Sequence, residues 1–599
     1  MSTILNCRHF FMASPVIDSP KYGDFRLLVP ILKVIFSIFG INNFFNMDNK
    51  TIARAFKLCG QLMELHNENP FRSKAIASAS FKIDKLPIAA ATATFDQLSE
   101  QPGIGKSTAE KIQQFIQTGT FNDLQELIEK TPAGILEMLK IKGLGPKKVQ
   151  IIWNDLAIES VGELYYACNE NRLIEAKGFG LKTQEDIKKS IEFTLDNQGW
   201  FLYAKVVPFA ENIYNSLVKA FPENKISYTG DFRRKMEVLQ QVELIVDTPV
   251  DRIEQAIQSL NNDITVKKED NKLIFTDENS CHFIIYSSNE SNFAKDLLET
   301  TGSTAHLNLI KEINNDLPAL ATEEEIYKAI GLSYIEPEIR EGLDEIQLAR
   351  ENKLPQLITF EDLKGTLHNH STYSDGVHSL AEMARYSKEE LGLEYLGICD
   401  HSKTAVYANG LNIDRLTQQW AEIDQLNEQL APFKIFKGIE SDILSDGSLD
   451  YSDDILAKFD FVVASVHSNL KMDEEKATAR LIKAIENPYT TILGHPTGRL
   501  LLARAGYPLD FKKIIDACAS NNVVIEINAN PLRLDLDWRW HRYALEKGVL
   551  LSINPDAHRT EGLHDMHYGV FVGRKGGLSK EKCLNALSLN EISNFFHKK

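Results

Sequence analysis

The chain has 599 residues, more than one hydrophobic core usually serves, so two to four domains are expected. Its 43% hydrophobic and 25% charged content is that of an ordinary globular protein and excludes fibrous and disordered classes. A net charge of −17 argues against coating nucleic acid by bulk attraction, but not against binding through local backbone amides and a few Lys and Arg residues.

Residues 1–46 carry an apolar run, Leu27 to Phe45, interrupted by Pro30, Lys33 and two Asn. It is too broken for a membrane span and lacks a small-residue cleavage site. The character changes at Met47, so residues 1–46 are expected to be a non-native extension, with a weak membrane tether as the alternative. The seven cysteines are scattered and never form C-x-x-C, which suggests free thiols in a reducing cytoplasm.

Residues 47–195 read as almost wholly helical, and one motif occurs three times: Gln101-Pro-Gly-Ile-Gly-Lys106, Ile141-Lys-Gly-Leu-Gly-Pro-Lys-Lys148 and Ala176-Lys-Gly-Phe-Gly-Leu-Lys182. Each sets Gly-apolar-Gly between helical patterns. Glycine permits the tight turn and a close backbone approach, leaving amides at the next helix N-terminus able to hold a phosphate. The expected backbone-gripping residues are Gly103, Gly105, Lys106, Gly143, Gly145, Lys147, Lys148, Gly178, Gly180 and Lys182. Many helix turns need glycine for geometry alone; the repetition, followed each time by Lys or a hydroxyl residue, favours nucleic-acid binding.

Residues 196–318 alternate strands (near Ile226–Tyr228, Glu243–Val246, Lys272–Phe275 and Phe283–Tyr286) with helices, and a polar bridge, Glu338–Ile358, follows. Residues 360–599 read as seven strands separated by amphipathic helices such as Leu380–Leu391, Asp414–Leu430 and Glu474–Glu486. This alternation predicts a parallel barrel, whose active site sits at the strand C-terminal ends. Six strands end in His, Asp or Glu: His368 and His370 with Asp375 beyond, Asp400-His401, Glu440, His467, His495, and Asp556 with His558. These side chains would converge on one rim as a multinuclear metal site. The remaining histidines, including His378, His541, His564, His567 and His597, have no motif role and read as surface groups.

The order of these segments resembles the bacterial family X DNA polymerase that carries a C-terminal PHP phosphoesterase domain, over roughly residues 48–590. The resemblance implies a helix-hairpin-helix region (47–195), a nucleotidyltransferase-like palm (196–318), a thumb remnant and linker (319–359) that includes Tyr334-Ile-Glu-Pro-Glu-Ile-Arg-Glu341, and a distorted (β/α)7 PHP barrel (360–599). It further implies that His368, His370, Glu440 and Asp556 share one ion. Glu440 would bridge to a second ion held by His467 and His495, and Asp375, His401 and His558 would bind a third. Imidazole-rich shells suit Mn²⁺ or Zn²⁺ over Mg²⁺. Such a centre hydrolyses phosphoesters by activating water and neutralising phosphoryl oxygens. Asp400 could orient an imidazole, and Arg499 and Arg533 could hold substrate phosphate.

The palm departs from its family. The phosphate-binding turn is Gly230-Asp-Phe-Arg-Arg234, with Asp231 in place of Ser beside Arg233. Gln241 and Glu243 stand where two Asp belong, His282 falls near the third, and Glu299-Thr300 replaces an aromatic pair. A neutral amide is a weak substitute for a carboxylate on Mg²⁺, so the palm is expected to fold without polymerising. Lys111 matches the position of the polymerase beta Schiff-base lysine, though a solvated helix lysine explains it as well. The expectation is therefore a cytoplasmic, metal-dependent 3′–5′ DNA exonuclease acting on gapped, nicked or 3′-ended repair intermediates, with no membrane association. Alternatives are an active gap-filling polymerase with exonuclease, a histidinol-phosphatase-like enzyme, and a DNA-binding scaffold.

Overall fold

The computed structural model describes residues 49–86, 88–141, 143–195, 199–260, 265–277 and 281–598. The expectation for residues 1–46 lies outside them. The chain divides into two compact units: one reaches Lys140 and includes Leu144–Gln150, and the other comprises Ile141–Gly143 and Ile151–Lys599. Among the described residues no helix is long and apolar enough to cross a membrane, and the six described cysteines are free and buried.

The first unit is helical. Helix Asn49–Leu65 buries Ile52, Phe56, Cys59 and Leu62, and the Phe56 and Phe121 rings lie 4.9 Å apart. Helix Lys106–Thr118 starts at Gly105 of the first hairpin motif.

In the second unit, strands β1 (Ile226–Thr229), β2 (Val242–Val246), β3 (Val266–Glu269), β4 (Lys272–Thr276) and β5 (His282–Ser287) form one sheet in the order β1-β2-β5-β4-β3. β2 and β5 run parallel, with Val242 opposite Phe283 and Glu243 opposite Ile284. β3 was not anticipated, because Val266-Lys-Lys-Glu269 carries a single apolar residue and is half exposed at a sheet edge.

The segment after the palm is more than a polar bridge. Residues from Ala294 to Leu357 share a core that includes Ile310, Ile326, Tyr327, Ile335 and Ile346. Its polar residues are built in. Arg340 is fully buried, 2.6 Å from Glu323, and His306 lies between Glu345 at 2.7 Å and the Tyr327 hydroxyl at 2.9 Å. Part of its charged composition thus serves buried ion pairs.

The barrel strands are β6 (Gly365–Thr366), β7 (Tyr395–Ile398), β8 (Lys434–Asp442), β9 (Phe461–Ser465), β10 (Ile492–Leu493), β11 (Val524–Asn528) and β12 (Leu551–Asn554). They pair in sequence order, all parallel. β6 stops at Thr366, short of the expected strand end at His368 and His370, because beyond Thr366 the chain turns to bond with the last strand's exit. His370 N donates to Ala557 O at 2.9 Å and Asp556 N to His368 O at 3.1 Å, which nearly closes the ring at its strand-end rim. The interior and floor are apolar: Leu367, Phe436, Phe461, Val463, Ile492 and Val524 pack with Leu584 and Phe596 from the C-terminal segment. Gly397 and Gly438 make room for Phe461, whose ring tip lies 2.6 and 2.5 Å from where their Cβ atoms would stand.

Candidate metal centre

Buried strands deliver the chain to the rim, and the short loops beyond them supply the polar groups. The candidate ligands His368, His370, His401, Glu440, His495, Asp556 and His558 are all buried. His495 (φ 21°) and Asp556 (φ 55°) adopt backbone conformations that side-chain-bearing residues seldom occupy. Such strain persists where the surroundings enforce a functional geometry.

Ligand atoms gather in three groups, within each of which all atoms lie within 4.8 Å of one another: His370 with Asp375, His401 and His558; His368 with His370 and Asp556; and His401 with Glu440 and His467. Glu440 is central. Its Oε1 lies 3.3 Å from His368 Nε2, 3.1 Å from His467 Nε2 and 3.0 Å from His495 Nε2, and its Oε2 lies 3.0 Å from His401 Nδ1. The expected sharing therefore shifts at His401, which reaches both Glu440 and, at 3.6 Å, Asp375.

Many of these atoms have no hydrogen-bond partner in the protein: His368 Nε2, His370 Nδ1, both nitrogens of His401, His495 Nδ1, His558 Nε2, Asp375 Oδ2 and Glu440 Oε2. Buried polar atoms are nearly always bonded, so this concentration of unpaired donor atoms fits a divalent-metal site of nitrogen and oxygen ligands. Burial opposes ionisation of Glu440, but His467, His368 and His401 outweigh it and hold the carboxyl well below its usual range. Asp375 is likewise held low, burial being overcome by His558 and His401. Burial, with His558 and His401, pushes His370 down to about 3. It therefore presents neutral imidazole, the form that binds metal.

Orienting carboxylates complete the site. Glu526, on β11, lies 2.7 Å from His368 Nδ1, and Asp442, on β8, lies 2.6 Å from His467 Nδ1. Neither was singled out from sequence. Asp400, expected to orient an imidazole, touches none: it accepts from Ser371 N and Oγ at 2.8 and 2.7 Å, from Ser374 and from Gln419, pinning the loop that carries Asp375. Arg499 is also committed elsewhere, to Asp537 at 2.5 Å and to the carbonyls of Arg533 and Leu534. Arg533 instead faces the cluster, 3.9 Å from Asp556, with Nη1 unpartnered. His541, expected at the surface, is fully buried against Leu536 O at 3.1 Å.

In the palm, Glu243 is the remaining carboxylate of the expected triad positions. Its Oε1 accepts from Tyr286 at 3.0 Å, and burial raises its pKa. Gln241 precedes β2, and His282 begins β5, bonded to Thr276 at 2.9 Å. Arg233 is held by Glu323 at 3.1 and 2.5 Å, while Arg234 pairs with Glu341 at 3.0 Å and with Asp231.

In the hairpins, Gly103, Gly143 and Gly178 take left-handed φ values of 83°, 91° and 91°. Nothing lies within 4 Å of the Cβ positions of Gly105, Gly143, Gly145, Gly178 and Gly180, so the turns are open to a close-approaching ligand. Lys106, Lys147 and Lys182 are exposed and Lys148 half-buried. Lys82, not anticipated, lies over Gly103. Lys111 pairs with Asp123 at 3.2 Å.

A strand-end ring of imidazoles and carboxylates on a nearly closed parallel barrel defines a PHP-type phosphoesterase, and the PHP domain model matches residues 366–530. A helix-hairpin-helix domain matches residues 47–121 and a SAM-like helix-hairpin-helix tandem residues 135–192. The chain is 34% identical over 572 residues to the DNA polymerase/3′-5′ exonuclease PolX of Bacillus subtilis (strain 168), covering 92% of this chain and 99% of that one. It belongs to the PolX family of PHP-bearing family X polymerases. Its PHP part is also similar to probable phosphatases of Thermoanaerobacter sp. (strain X514), 28% identical over 36% of this chain and 88% of the relative, and of Caldanaerobacter subterraneus, 30% identical over 32% and 74%.

Proposed function

We propose that this protein is a metal-dependent 3′–5′ exonuclease that trims DNA ends during repair, and that its barrel is its only phosphoryl-transfer site. The convergence of nine imidazoles and carboxylates, many with unpaired buried atoms, carries this reading. The ligand set suits Mn²⁺ or Zn²⁺, bound by Glu440 at the centre with His368, His370, Asp375, His401, His467, His495, Asp556 and His558 around it. When bound, such ions supply Lewis acidity for water activation and for neutralising phosphoryl oxygens. The chain's own residues do the rest: Glu526 and Asp442 hold imidazoles in one tautomer, Asp400 braces the Asp375 loop, and Arg533 meets the phosphate. The open hairpins hold gapped, nicked or 3′-ended DNA by its backbone, without reading sequence.

Loss of polymerase activity is supported by the ion pairs that occupy Arg233 and Arg234 and by the single carboxylate at the metal positions. The likeness to probable phosphatases favours, as a second reading, hydrolysis of small phosphate esters by the same centre. Purified protein with Mn²⁺ and a labelled single strand tests both. Stepwise 3′ shortening, lost in His368→Ala with fold retained, is expected; turnover of small esters alone would overturn the exonuclease reading.

A further inference from the structure

The metal centre is walled on one side by residues outside the barrel. Helix Val161–Asn169 begins with a capping box in which Ser160 and Glu163 bond reciprocally, and it is docked on the rim. Glu163 pairs with Arg504 at 2.8 Å, Arg559 donates to Asn169 O at 2.8 Å, and a Cβ at Gly162 would stand 1.8 Å from that of Ala503. The chain leaves the helix through Asn171, at φ 56°, a conformation Asn tolerates. That turn puts Glu170 and Arg172 against the cluster.

The Glu170 side chain is 5% exposed; Oε2 pairs with His558 Nδ1 and Oε1 lies 3.5 Å from Asn530 Nδ2. His558 Nδ1 also faces Asp556 O at 3.0 Å. The Asp556 carbonyl and the Glu170 carboxylate both face Nδ1 and so turn Nε2, 3.2 Å from Asp375 Oδ1, toward the cluster. Glu526 and Asp442 do the same for His368 and His467 from within the barrel. Arg172 lies over the Tyr407 ring at 4.7 Å and near that of Tyr166 at 5.6 Å. Its Nε is 4.0 Å from Asp375 Oδ2 and has no hydrogen-bond partner. Arg533 packs on Tyr166 at 4.5 Å, also with a spare donor. Two guanidinium forks with unpaired donors, both against Tyr166 and each near a cluster carboxylate, suit the non-bridging oxygens of a phosphodiester.

We propose that the segment Tyr166–Arg172 is a working part of the phosphoesterase centre. Glu170 is a positioning residue that fixes His558 for the ion shared with Asp375 and His401, and Arg172, with Arg533, holds the substrate phosphate. This rests on the barrel being the hydrolytic site, and it ties hydrolysis to the seating of helix Val161–Asn169 on the rim.

The test uses the full chain, loaded with Mn²⁺ and dialysed, with metal content, thermal melting, kcat and KM on a labelled single strand measured for each variant. Glu170→Ala should melt as a folded protein yet bind one ion of the cluster about 10–100-fold more weakly. Glu170→Gln, which keeps an acceptor oxygen beside Nδ1, should recover much of the loss. Arg172→Ala should raise KM with metal content unchanged, and Arg172→Lys should restore part of the affinity. Wild-type metal binding in Glu170→Ala, or equal loss in Glu170→Ala and Glu170→Gln, overturns the positioning role. Unchanged KM in Arg172→Ala overturns the phosphate role. Failure of the hydrolytic reading would appear separately, as DNA shortening that survives His368→Ala, and would leave the metal-content comparison intact.

Discussion

At the scale of single residues, hydrogen-bond partners separate the groups that serve the centre from those that hold its frame. Arg533 and Arg499 look alike in sequence, as loop arginines after barrel strands. In the fold Arg499 is bound to Asp537 and two carbonyls, while Arg533 keeps a free donor beside Asp556. Arg533→Ala should therefore raise KM for a DNA strand with metal content unchanged, whereas Arg499→Ala should lower the melting temperature more than it alters KM. Glu526→Gln, which weakens the acceptor at His368 Nδ1, should reduce affinity for an ion about 10–100-fold by metal titration. His541 supplies a pH test away from the ligands. Burial lowers its pKa from 6.5 to about 4, so the native state keeps it neutral while the unfolded chain takes up a proton below pH 6.5. Stability from this group is thus full above pH 6.5 and falls as pH drops toward 4, by about 2 kcal/mol at pH 5. Denaturant melts at pH 7 and 5 should show this loss in the wild type and a smaller one in His541→Gln. The candidate ligands were legible because strand ends place them at a regular position. Glu526, Asp442 and Glu170 were not, since an orienting carboxylate has no fixed spacing from the imidazole it holds.

At the scale of elements, alternating apolar strands and amphipathic helices made the barrel readable, and the helix ends agree with their predicted limits within two residues. The thumb-like segment, expected as a thumb remnant and linker, has charges that pair with each other inside a core. Arg340, Arg233 and Glu323 form one such network. Glu323→Ala would strand two arginines and should cost about 3–5 kcal/mol in denaturant melts. On the barrel floor, Phe461 stacks on Phe596 with ring centres 5.1 Å apart and fills the space left by Gly397 and Gly438. Phe461→Ala should cost about 3–5 kcal/mol and lower Mn²⁺ affinity only modestly, since the ligands sit at the opposite rim.

At the scale of the whole molecule, a polymerase framework carries one site with its expected ligand positions filled and one with its cationic turn neutralised. Palm and barrel are joined through that turn: Lys575 donates to Arg234 O at 3.1 Å and pairs with Glu341, and Glu237 accepts from Trp538 at 3.2 Å and Arg539 at 2.9 Å. Arg234 thus links the barrel to the thumb-like core, and Arg233 pairs with that core through Glu323. The central claim, that phosphoryl transfer belongs to the barrel, is tested most directly on one labelled gapped duplex with Mn²⁺ and dNTPs. Wild type, His368→Ala and Glu243→Ala are compared on it. The expected result is 3′ shortening by wild type and Glu243→Ala, none by His368→Ala, and no extension by any. Extension by wild type that disappears in Glu243→Ala would contradict it.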